Sequence, residues 1–171
     1  MGRTTPEPSI VGEHAPDFEL ESTRGDAVRL SDTLESGPTV LVFFRGHWCS
    51  YCQEQLRTFG HLDYDLWRHL GVDVLPVTCD DVPDLVEMRT RFGLTVELLS
   101  DPHLSVTRDY TDTEDNAKHG EIPVPAVYVV DTGGVVRYGE TSRDPSDRAN
   151  ANLVRHVIKN DFEDPYEEPY Y

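Results

Sequence analysis

Lysine is nearly absent from this chain. Lys118 and Lys159 are the only two, and Lys and Arg together number 15 against 32 Asp and Glu. No stretch clusters basic residues, so a nucleic-acid partner is excluded, because phosphate contacts need grouped Lys and Arg. No apolar run approaches the ~20 residues that span a bilayer, which excludes a membrane-spanning helix. Residues 1–9 lack the basic start and apolar stretch of a secretory signal, and the reading is of a cytoplasmic protein. Hydrophobic residues make up 37%, low for a globular chain but too many for a wholly disordered one. The length of 171 residues suits one domain with a full core. We expect a disordered segment at 1–9, a folded domain at 10–160, and an acidic, Tyr-rich tail at 161–171.

The formal net charge is −17, spread along the chain. A surface of one sign repels itself in dilute buffer. The scarcity of lysine with this acid excess reads as a cytosolic protein of a salt-accumulating halophile.

Strands and helices alternate along the sequence. Residues 11–22 alternate apolar side chains after Pro16, and 28–30 add a second short strand beyond the Arg24-Gly25-Asp26 turn. Residues 39–44, Thr-Val-Leu-Val-Phe-Phe, are continuously apolar, as in a strand buried on both faces of a parallel sheet. Cys52, Leu56, Phe59, Leu62, Leu66 and Leu70 then recur at helical spacing, predicting one helix that ends at Gly71. Further strands are expected at 72–79, 96–99, 126–130 and 135–138, and helices at 84–92, 103–110 and 146–160. Pro76 sits inside the 72–79 strand, where a bulge or an unpaired position is expected because proline donates no hydrogen bond. The order predicts an α/β sandwich with a mostly parallel centre.

Cys49-Ser50-Tyr51-Cys52 falls at the junction of the buried strand and the helix. A helix N-terminus carries about +0.5 charge and favours a thiolate. Positions i and i+3 share a helix face, so the two sulfurs can meet. The C-terminal edge of such a sheet is where ligands usually bind. Structural zinc would need four ligands, with His47 and Cys79 completing the set, and the alternative of inert buried thiols suits Cys79 better than this pair. The placement favours redox chemistry, with no metal or cofactor. Cys49, nearest the helix start, is the expected nucleophile, and Cys52, one turn further, the resolving thiol. Trp48 can shield the sulfur or pack against a partner, and Arg45 and His47 are local cations able to lower a thiol pKa.

Several segments together resemble the AhpC/TSA peroxiredoxin-like family: Val11-Gly12, Ala15-Pro16-Asp17-Phe18, 40–44, Arg45-Gly46-His47-Trp48-Cys49-Ser50-Tyr51-Cys52, Leu99-Ser100-Asp101, and 124–131. The resemblance covers about residues 10–160. It implies a thioredoxin-like three-layer α/β/α sandwich with an N-terminal β-hairpin extension. Two departures stand out. The Pro-x-x-x-Thr/Ser-x-x-Cys pattern of ordinary peroxiredoxins is replaced by Val42 and Gly46 ahead of Cys49, and the arginine before the last apolar strand is replaced by Pro125. A proline there resembles thioredoxins, in which it is cis and faces the two cysteines. Arg45, Arg137 or Arg148 could substitute for the missing groups.

The expected activity is a thiol-dependent oxidoreductase that uses Cys49 and Cys52 on hydroperoxides, disulfides or both. An external dithiol such as a thioredoxin would reset the pair. The alternative is a non-catalytic binding module that keeps the fold and engages a partner through its Tyr-rich tail. The charge pattern carries its own test. Raising KCl from dilute to molar shortens the Debye length from ~10 Å at 0.1 M to ~3 Å at 1 M. The melting temperature should rise over that range, and a flat profile would remove the halophile reading.

Overall fold

The computed structural model describes residues 10–59, 67, 69–142, 144 and 151–159. The lead-in at 1–9, the tail at 161–171, the stripe residues Leu62 and Leu66, Arg148 and the start of the last helix lie outside the described residues.

Nine strands and five helices are described. In chain order they are β1 (Glu19–Ser22), β2 (Ala27–Arg29), α1 (Leu30–Leu34), β3 (Thr39–Phe43), α2 (Ser50–Arg57) and β4 (Asp73–Thr78). Then follow α3 (Val82–Phe92), β5 (Leu99–Ser100), α4 (Ser105–Tyr110), β6 (Thr113–Asn116), β7 (Gly120–Pro123), β8 (Ala126–Val130), β9 (Val136–Thr141) and α5 (Ala151–Lys159). Seven strands form one sheet in the order β2-β1-β5-β4-β3-β8-β9, and β6 and β7 form a separate hairpin. The centre, β5-β4-β3, is parallel, and β8 and β1 flank it antiparallel. The short β1–β2 hairpin is the N-terminal extension.

Strand β3 is buried at every position. Its side chains alternate between faces, as strand geometry requires. Val40, Val42 and Phe44 enter one core with Leu56 of α2, Leu85 and Met88 of α3, and Val154 and Val157 of α5. Leu41 and Phe43 enter the other with Leu30 and Leu34 of α1 and Tyr110 of α4. Helices therefore cover both faces, giving three layers. On the second face Phe43 and Tyr110 pack with ring centres 5.2 Å apart, and the Tyr128 hydroxyl donates to the Tyr110 carbonyl.

Pro76 is accommodated without a bulge. The β3–β4 register runs unbroken from Thr39↔Asp73 to Phe43↔Val77. The Asp73 amide donates to Pro38 and the Val77 carbonyl accepts from Phe44, so odd positions of β4 bond toward β3. Pro76 falls on the even set, which faces β5, and β5 pairing begins only at Val77↔Leu99. The missing N–H thus costs no ladder bond.

The helix after the cysteines is expected to run to about Leu70; residues 60–66 and 68 lie outside the described residues, and 67 and 69 are helical ahead of a turn at 70–71. Regular α-helix ends at Arg57, and a π turn occupies Thr58 and Phe59. The Phe59 carbonyl accepts from the Trp67 indole, the two rings stack, and the amides of Leu70 and Val72 both donate to the Trp67 carbonyl. Trp67 is fully buried. Helix α3 ends as expected at Gly93, whose φ of 62° makes it a left-handed cap. The polar β6–β7 hairpin was not foreseen, because residues 113–116 carry no apolar alternation.

Asp17 ties the chain entry to α1. Its carboxylate accepts from the Phe18 amide and from the Ser31 amide and hydroxyl. Burial pushes the carboxyl up, but the Ser31 bonds, the Phe18 amide and Arg29 outweigh it and hold it below its ordinary value. A carboxyl depressed in the folded state adds stability above its unfolded pKa, and loses it as pH falls through the folded one. Asp17→Ala should therefore cost about 1 kcal/mol at neutral pH, a figure kept small by solvent screening. The gap to wild type in urea unfolding should shrink as the pH drops below the ordinary carboxylate range.

Candidate active site

The C-terminal end of β3 delivers the chain to residues 45–49 and then into α2. Cys49 is the N-cap residue, with extended backbone at φ −84° and ψ 114°, and its sulfur accepts the Cys52 amide at 3.4 Å. The sulfur thereby takes the place of the oxygen that usually caps a helix. Such a position stabilises a thiolate through the unsatisfied amides of the first turn. The Cys52 sulfur accepts the Arg45 amide at 3.4 Å, which folds the loop back over the second cysteine. All three cysteines are reduced; Cys52 is fully buried and Cys49 is 4% exposed. Tyr51, between the pair, is 49% exposed and marks the side that meets solvent.

Residues outside the motif hold this loop. Asp80, just past β4, accepts from the His47 amide at 2.7 Å and pairs with the His47 ring at 2.9 Å. Ser100 donates to the Asp80 carbonyl, and Gln53 of α2 donates to the His47 carbonyl. Arg45 lies 3.3 Å from the Glu114 carboxylate and 5.3 Å from the centre of the Trp48 ring. Trp48 stacks face to face on His119, at 3.8 Å and 6°. Gly46 is required beneath it, since a Cβ there would stand 2.3 Å from the indole nitrogen. Arg45 and His47 thus each carry a carboxylate partner, and the helix N-terminus remains the positive group directly against Cys49.

Pro125 is buried at the head of β8, level with Phe44 by the Phe43↔Ala126 register. Its carbonyl accepts the Ser142 amide, and it lines a small cavity with Gln55 of α2 and Glu140. Sheet register thus brings Pro125 to the end of the sheet where β3 hands the chain to Cys49. Arg137 is placed elsewhere, paired with Asp131 at the opposite end of β8. Cys79 follows β4, half-buried, with its sulfur 3.9 Å from the Glu121 carbonyl. Burial first, then the neighbouring Asp80, pushes its thiol up, which makes it a poor nucleophile. Among the described residues, the group placed to hold a cation is His47, Asp80 and Asp84, and it includes no cysteine.

Asp80, Glu114, His119 and Gln53 were not singled out by sequence. Their partners lie from 6 to 71 positions away, and no local pattern pairs them.

A model of the AhpC/TSA family matches residues 11–139. The thiol-disulfide oxidoreductase ResA of Geobacillus kaustophilus is 31% identical over 128 residues, covering 74% of this chain and 67% of that protein. Peroxiredoxin Q, chloroplastic, of Oryza sativa subsp. japonica is 30% identical over 127 residues, covering 74% of this chain and 57% of that protein. The chain thus spans a little over half the length of the rice protein. Among solved structures, the peroxidoxin BcpB of Mycobacterium tuberculosis superposes with a TM-score of 0.78 at 22% identity, over 88% of this chain and 97% of that one. Reduced Plasmodium vivax 2-Cys peroxiredoxin gives 0.74 at 18% identity, over 89% and 81%. These likenesses show a common, thioredoxin-like fold.

Proposed function

This chain belongs to the AhpC/TSA family, and on that premise we propose that it is a thiol-dependent oxidoreductase working through a Cys49/Cys52 dithiol. The observation that carries the reading is Cys49 as the N-cap of α2, its sulfur on the Cys52 amide and the second thiol one turn behind. With a hydroperoxide, the Cys49 thiolate attacks the terminal oxygen, the O–O bond breaks, and an alcohol or water leaves after taking a proton. The sulfenic acid left on Cys49 condenses with the Cys52 thiol, losing water and closing the disulfide. With a disulfide, Cys49 displaces one sulfur, and Cys52 then displaces the other from the mixed intermediate. An external dithiol, such as a thioredoxin, returns both sulfurs to thiols by the reverse exchange.

Trp48 covers the nucleophile, Pro125 closes the site from β8, and Arg45 orders the loop. Peroxide cleavage needs donors for the departing oxygen. The Thr/Ser and Arg of ordinary peroxiredoxins are missing here, and the first-turn amides of α2 with Arg45 are the donors at hand. No described helix is long and apolar enough to cross a membrane. The acidic, lysine-poor surface supports a cytoplasmic setting at high salt.

Cys49→Ser should abolish turnover with every oxidant. Cys52→Ser should still permit one oxidation of Cys49, trapped as a sulfenic acid or mixed disulfide. Brief iodoacetamide treatment at neutral pH should label Cys49 before Cys52 and Cys79. Peptide mapping decides the order, and first label on either of the other two overturns the assignment.

A further inference from the structure

The β6–β7 hairpin leaves the main sheet after α4 and returns at Val124, whose amide donates to the Asp112 carbonyl and whose carbonyl accepts from the Thr111 hydroxyl. Between those points it belongs to no other sheet. Its contacts go to the loops that follow β3 and β4. His119 lies flat on Trp48, the residue before Cys49. Glu114 pairs with Arg45, which is itself over the Trp48 ring. The Glu121 carbonyl faces the Cys79 sulfur. The hairpin is braced at its base, where Glu121 accepts from Thr113 and pairs with Arg108.

This placement bears on how Cys49 is reached. The cysteine is 4% exposed, although the next two residues, Ser50 and Tyr51, are exposed. Cys49 belongs to the core cluster against which Trp48 packs, and the hairpin holds Trp48 there through His119. A thiolate attacking a protein disulfide must align with two sulfurs that carry a chain on each side. A small hydroperoxide presents a terminal oxygen with nothing beyond it. A cover over one side of the sulfur obstructs the first far more than the second.

We propose that the β6–β7 hairpin, clamped by His119 on Trp48 and Glu114 on Arg45, is the specificity element of this site. It admits small hydroperoxides to reduced Cys49 and excludes bulky disulfides. The assignment rests on Cys49 being the redox nucleophile and names the oxidant class for it. His119 and Glu114 act by holding the cover and take no part in bond making. His119 is exposed and Glu114 sits at the surface, so neither supports the core.

The test uses the full chain, reduced, as wild type and as His119→Ala/Glu114→Gln. Modification of Cys49 is timed with N-ethylmaleimide and with a maleimide carried on a polyethylene glycol chain, and the site is read by peptide mapping. The two reagents share their chemistry and differ in bulk, so their rate ratio reports the cover without any redox turnover. Loss of the stack and the ion pair should speed the bulky reagent about tenfold and the small one less than about twofold. In parallel, oxidation by the disulfides of insulin should rise relative to oxidation by hydrogen peroxide. A bulky-to-small ratio equal in the two proteins, or an equal insulin-to-peroxide ratio, overturns the specificity assignment. Wild-type Cys49 left unoxidised by both hydrogen peroxide and insulin overturns the redox reading itself, whichever way the maleimide ratio falls.

Discussion

Strand β3 has no solvent side, and the site depends on that. Each of its five residues is buried, with successive side chains committed to opposite cores. A one-residue slip would exchange the two sets and place every side chain in the wrong core. The register against β4 and β8 is therefore fixed, and with it the point where the chain leaves the sheet. Cys49 follows within six residues of Phe43, at the start of a helix whose Cys52 and Leu56 are locked into the first core. The nucleophile's position is thus inherited from the packing of the strand before it and the helix after it.

Between these two anchors the loop is held by hydrogen bonds, an ion pair and the packing of Trp48. Asp80 grips His47 through both backbone and ring, and Glu114 grips Arg45. In a chain of net charge −17, one acid is placed against the loop's arginine and another against its histidine. The consequence is electrostatic. A paired Arg45 contributes less field at the sulfur than a bare one would, so the first-turn amides of α2 carry more of the stabilisation of a thiolate. The same pairings attach the β6–β7 hairpin to the loop, so one set of contacts both orders the motif and covers it.

The layered architecture was legible because its elements carry strong periodicity. The unbroken apolar run of β3, the left-handed stop at Gly93 and the Asp131–Gly134 turn each have a local physical cause. The cysteine pair at the strand–helix junction was legible for the same reason. Pro76 takes the unpaired position expected of it, on the β5 side of β4 ahead of the first β4–β5 pair, although sequence does not tell which side of a strand a missing N–H faces. The π turn at Thr58 and Phe59 could not be read either, and the indole that donates to the Phe59 carbonyl comes from Trp67, eight residues on. The polar hairpin and its clamp were hidden most completely. Their order comes from Asn116 capping the turn, from ion pairs and from a ring stacked across 71 residues of sequence. None of these leaves a period of two or 3.6.

The central claim is that Cys49 and Cys52 exchange between a dithiol and a disulfide. Its most direct measurement is the mass of the reduced chain after one equivalent of hydrogen peroxide, with peptide mapping of the product. The account predicts a loss of two hydrogens confined to the peptide that bears Cys49 and Cys52, with Cys79 still a thiol and the mass restored by dithiothreitol. Oxygen retained on Cys49 with Cys52 still a free thiol, or oxidation accumulating on Cys79, would contradict it.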